Sequence, residues 1–101
     1  MSTLWTSKLH PFDKQHVIEI QYNDVKALST IKSILQRELF AVPINQTIGP
    51  YFTLIDYSIE DIQVSLIEDD TEGYPIYITC NLESSFDLMN RINLTLQNID
   101  R

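Results

Sequence analysis

The stretch Leu66–Pro75, "LIEDDTEGYP", sets Glu68, Asp69, Asp70 and Glu72 around Gly73. Carboxylates at alternate positions with a glycine at the bend suit a calcium loop, because a hard cation takes oxygen ligands and the loop must turn sharply. With Glu68 at the first position, Asp70, Glu72 and Gly73 fall at the third, fifth and sixth of the helix-loop-helix pattern. The twelfth position is Thr79, where a bidentate glutamate belongs, and both flanks alternate as strands do. The residues therefore point to an acidic hairpin tip in water, with no metal and no cofactor.

Other reactive residues lead no further. His10, Asp13 and His16 have a spacing that suits a ligand set, but Pro11 breaks the helix that would stack them. They read as surface residues. Cys80 falls on the apolar side of an alternating segment and reads as a small buried hydrophobe. With only Gly49 and Gly73, the chain cannot build a glycine-rich phosphate loop. No nucleophile–base pair emerges, so the expectation is a binding protein and not an enzyme.

The charge pattern suggests what is bound. The 101 residues carry a net charge of −7, and no lysine or arginine lies between Arg37 and Arg91. That gap holds Glu38, Asp56, Glu60, Asp61, Glu68, Asp69, Asp70, Glu72, Glu83 and Asp87. Such a field repels nucleic acid and anionic lipid and attracts cationic protein surfaces. Apolar runs are too short to span a bilayer, and the first residues, "MSTLWTSKLHPF", lack the apolar core of a signal peptide. A lone cysteine allows no intrachain disulfide, which suits a reducing cytoplasm.

The length fits one domain over residues 1–101. "HVIEIQY" alternates, with Ile18, Ile20 and Tyr22 on one side, and predicts a half-buried strand. Asn23 or Asp24 is expected to cap a helix running to about Ala41, with Leu28, Ile31, Ile34, Leu35 and Leu39 as its buried stripe. Pro43 ends it, and "VPINQTIGP" reads as a loop. Strands follow in "YFTLIDYSI", "DIQVSLIE" and "YPIYITCNL", the last two facing Ile62, Val64, Leu66, Ile76, Ile78, Cys80 and Leu82 inward. Ser84 then caps a helix whose stripe is Phe86, Met89, Ile92, Leu96 and Ile99. Trp5 precedes any regular element. The order β-α-β-β-β-α predicts an α+β domain, with a mainly antiparallel four-stranded sheet and both helices on one face.

A wet sheet face beside the acidic tip is then the expected docking surface, and it nominates Asp56, Glu60, Asp61, Glu68, Asp69, Asp70 and Glu72. Tyr74 and Tyr77 flank these acids as aromatic anchors. With "IDYSIEDIQVSLIEDDTEGYPIY" as its acidic aromatic centre, the chain resembles the small immunity proteins of bacterial contact-dependent inhibition and polymorphic-toxin systems. The resemblance is one of profile along the chain. It implies a 1:1 complex with a basic toxin, such as a nuclease domain, whose substrate surface the acids would cover. A phage-encoded nucleic-acid mimic that blocks a defence enzyme shares these physics. A non-catalytic adaptor or assembly subunit would use the wet sheet face instead.

Overall fold

A computed structural model describes residues 5–12, 15–22, 26–69, 75–80 and 86–99. The elements are β1 (Trp5–Phe12), β2 (Gln15–Tyr22), α1 (Ala27–Glu38), β3 (Val42–Ile48), β4 (Phe52–Ile59), β5 (Ile62–Asp69), β6 (Ile76–Cys80) and α2 (Phe86–Ile99). They build one six-stranded sheet in the order β1-β2-β6-β5-β4-β3, and every neighbouring pair is antiparallel. The α+β class is as expected. The sheet, however, has six strands where four were expected, because two segments without a clean alternation are strands.

Both additions are edge strands. β1 pairs with β2 from Trp5↔Tyr22 to Phe12↔Gln15, so Trp5 lies within a strand and not before one. "VPINQTI" is β3 and not a loop; it pairs with β4, with a register shift between Pro43 and Asn45. Pro43 is tolerated because an edge strand has one side without ladder partners, where a missing N–H costs nothing.

Alternation decides which side of each inner strand is buried. Ile18, Ile20, Ile55, Tyr57, Ile59, Val64, Leu66, Ile76, Ile78 and Cys80 join Ile31, Ile34 and Leu35 of α1 and Leu88, Met89, Ile92 and Leu96 of α2 in one cluster. A single cluster drawing on both helices places both on the same sheet face. Val17 points to the opposite face yet is also buried.

The helices depart from expectation in detail. Lys26 takes the N-cap position of α1 that was expected for Asn23 or Asp24, both of which lie outside the described residues. Hydroxyls of Ser29 and Thr30 donate to the Lys26 carbonyl at 3.1 and 3.0 Å. The helix stops at Glu38, before Pro43: Phe40 turns to a φ of 56° and the Ala41 N–H reaches back to the Leu35 carbonyl at 2.9 Å. Of the α1 stripe, Ile31, Ile34 and Leu35 are buried, while Leu28 and Leu39 pack against the cluster partly exposed. On α2, Phe86 is half exposed and not buried, because the stripe begins at Leu88 and Met89. Its ring meets His16 edge-on, with centroids 5.4 Å apart. Ser84, Leu82 and the side chain of Ile99 lie outside the described residues.

α2 also fastens β1. The Trp5 indole N–H donates to the Leu96 carbonyl at 3.0 Å in a buried site, and the Gln97 amide donates to the Ser7 carbonyl at 2.9 Å. This edge of the sheet is thereby stitched to a helix.

Two measurements check this packing. Cys80 is 2% exposed, so a thiol reagent should label the native protein only through opening, and Cys80→Ser should cost about 1–3 kcal/mol for a buried hydroxyl. Tyr57 is buried as well, and desolvation raises its pKa above the usual 10.0, against a smaller lowering by its hydrogen bond to the Gln36 side chain. Burial disfavours the phenolate, so this stability is intact below pH 10.0 and lost as pH rises through the higher folded-state value. Tyr57→Phe should flatten the alkaline fall in melting temperature.

Candidate interaction surface

The helix-free face carries the alternate residues of each strand. One row across it reads Lys8, Glu19, Tyr77, Ile67, Leu54 and Thr47, from cross-strand partners in register. The next row reads His10, Val17, Thr79, Ser65, Asp56 and Asn45. Tyr77, Ile67 and Leu54 thus form an apolar strip at the centre of the face, each partly exposed. Phe52 and Asp69 pair beside it at the end of the β4–β5 ladder. An apolar centre with a polar, charged rim is the anatomy of a protein interface.

Local structure fixes the acids. Asp56 lies mid-strand, and its Oδ1 accepts a 2.7 Å hydrogen bond from the Ser65 hydroxyl, which holds the carboxylate across the strands. Glu60 and Asp61 form the two-residue turn that joins Ile59 to its partner Ile62. Their φ angles are 53° and 66°. A right-twisted hairpin demands such angles, and Asn-Gly satisfies them with least strain. This chain places two acids there. Glu60 accepts from Arg91 of α2 at 2.6 Å, a half-exposed pair worth at most about 1 kcal/mol.

The nominated residues do not form one tight cluster. Glu60 and Asp61 sit at one end of β4 and β5, Glu68 and Asp69 at the other, roughly 25 Å away along an eight-residue strand. Asp56 lies between the ends. Tyr77 is on the central strip, whereas Glu68 pairs with Thr53 on the helix side of the ladder. Asp70, Glu72 and Tyr74 lie outside the described residues, and with them the tip that raised the calcium question. Among the described residues no group of histidines, cysteines and carboxylates is placed to hold a metal.

A property the linear pattern concealed is the spatial segregation of charge. Among the described residues, Lys26, Lys32, Arg37 and Arg91 belong to the helices or their caps, against Glu38 and Asp87 there. The sheet and its turns hold Glu19, Asp56, Glu60, Asp61, Glu68 and Asp69 against Lys8 alone. Charge among the described residues is therefore segregated, acidic on the sheet layer and basic on the helix layer.

A second feature is a cleft of about 350 Å³ lined by Leu9, His10, His16, Phe86, Asn90 and Asn93. Asp13 of the histidine-bearing segment lies outside the described residues. Asn93 is buried, and its Oδ1 has no hydrogen-bond partner. An orphaned buried oxygen costs about 1–3 kcal/mol. Sequence reasoning missed Asn93 because an asparagine between Ile92 and Leu94 reads as surface until the helix phase is known.

No helix among the described residues is long and apolar enough to cross a membrane. Set against protein-family models, curated proteins and solved structures, the chain matches none of them.

Proposed function

We propose that this protein is a non-catalytic inhibitor of the immunity type. It binds a basic toxin domain in the cytoplasm, 1:1, and blocks it by covering its substrate surface. The observation that carries this reading is the charge segregation between layers. An inhibitor so charged, approaching a cationic surface, is turned sheet-first by the field, before any contact forms. The face so presented bears Tyr77, Ile67 and Leu54 in its centre, with Asp56 and Asp69 beside them. Asp61 adds charge at the turn, where a neutral residue would fold at least as well. Carboxylates at these positions stand in for the phosphates that a nuclease surface expects. Desolvated aromatic and charged groups at the centre supply affinity, while rim charges supply rate.

The test is capture of the partner from native lysate, its purification, and stopped-flow association at low and high ionic strength. Association should slow with salt. Asp56→Asn, Asp61→Asn and Asp69→Asn together keep side-chain shape and the Ser65 bond. They should leave the melt unchanged and weaken binding at least tenfold, about 1.4 kcal/mol. Tyr77→Ala should cost about 2 kcal/mol of affinity. A salt-independent rate, or a triple variant with full affinity, would remove the acidic face from the account.

A further inference from the structure

The sheet has two edges, and they are treated differently. β1 is fastened to α2 through Trp5 and Ser7 and carries Lys8, a charge that discourages edge pairing. All seven residues of β3 are exposed. Val42, Ile44 and Ile48 are 60, 58 and 74% exposed, and Phe40 and Tyr51 at the ends of the strand are 79 and 73%. Residues 39–55 contain no charged side chain, the longest such run in a chain of net charge −7.

Phe40 strengthens the case. Its φ of 56° belongs to the stop of α1, where the Ala41 N–H reaches back to the Leu35 carbonyl, but the stop asks nothing of the side chain. A phenyl ring 79% exposed beside the bare edge adds to its apolar surface.

We infer that β3 pairs with β3 of a second copy of this chain, antiparallel about a two-fold axis, making one continuous twelve-stranded sheet. The register follows from the backbone. The Gly49 N–H donates to the Phe52 carbonyl at 2.8 Å, which makes this a hydrogen-bonded pair of the β3–β4 hairpin. Alternation then turns the amides of Thr47 and Asn45 toward β4 and those of Ile48 and Gln46 toward the open edge. Gln46 of one copy can face Ile48 of the other, with the two Thr47 residues at the axis. Pro43, paired with Tyr57 across the register shift, stays outside this short ladder.

Two observations select a second copy as the occupant. The basic partner proposed above finds no carboxylate along residues 39–55, whereas an identical neutral strand brings no unpaired charge to the contact. Ile44, Ile48 and Tyr51 are exposed apolar side chains along this edge, so each copy offers the other an uncharged apolar margin beside the ladder.

Sedimentation of the purified protein alone over a range of concentrations tests this, with Gln46→Pro and Ile48→Lys as variants. Wild type should reach twice the mass of the chain as concentration rises. Gln46→Pro removes an outward amide and Ile48→Lys places a charge at the contact. Each should remain at the mass of one chain with a wild-type circular dichroism spectrum. Salt should strengthen the dimer, because it screens repulsion between two acidic copies, whereas it weakens the acid–base complex. The two readings can thus fail separately. A wild type that stays monomeric at every concentration overturns the dimer. So does a dimer that survives both variants, or an edge that proves to be the toxin's site because Ile48→Lys abolishes toxin binding to a monomeric protein.

Discussion

Everything in this molecule follows from a mismatch of widths. Six strands at about 4.8 Å spacing place the outer two roughly 24 Å apart, while two helices side by side shield about 20 Å. α2 lies over β1 and β2, and α1 packs beside it. The shield therefore runs out before β3. One sheet face is a core, the other is wet, and one edge has neither cover nor charge. The interior strands owe their burial to this arrangement, and the surfaces available to partners are what it leaves over.

That geometry also explains which elements the sequence made legible. β2, β5 and β6 separate a buried side from a wet one, so Ile18 and Ile20, Val64 and Leu66, and Ile76 and Ile78 announce their strands. β3 has no buried side, and a strand exposed at every residue has no alternation to read. β1 hides for a related reason: polar Ser7 stands on the inner side between Trp5 and Leu9, and Pro11 interrupts the pattern. Helix phase was legible where several residues vote together, as in Ile31, Ile34 and Leu35. It failed at Phe86, whose ring meets His16 and stays half exposed, which a single aromatic at the start of a helix cannot reveal. The acidic character of the candidate site was evident from composition, but its distribution was not. Distance along a chain cannot show that β4 and β5 carry their acids to opposite ends, or that the cations gather on the helices.

The two surfaces obey different physics, and this lets one small chain keep two associations apart. The sheet face works through long-range charge, which acts on approach and yields to screening. The β3 edge works through short-range hydrogen bonding and apolar contact, which act only on arrival. Hydrogen-bonded edge pairing extends the sheet sideways and leaves its wet face open. A dimer formed through β3 would then present two acidic faces, with the twist of the sheet setting the angle between them.

The strand order has a temporal meaning as well. β2 and β6 are neighbours in the sheet, yet His16 and its partner Cys80 are 64 residues apart in the chain. The first hairpin must wait for the last strand before it can dock, and the Trp5 indole finds its carbonyl only when Leu96 has arrived. Until then β4 and β5, which are adjacent in sequence and joined by the tight Glu60–Asp61 turn, are the natural nucleus. Loop closure of that length is slow, so the seam between β2 and β6 belongs to the late part of folding. During synthesis on a ribosome, β1 and β2 would remain an unseated hairpin until β6 clears the exit tunnel.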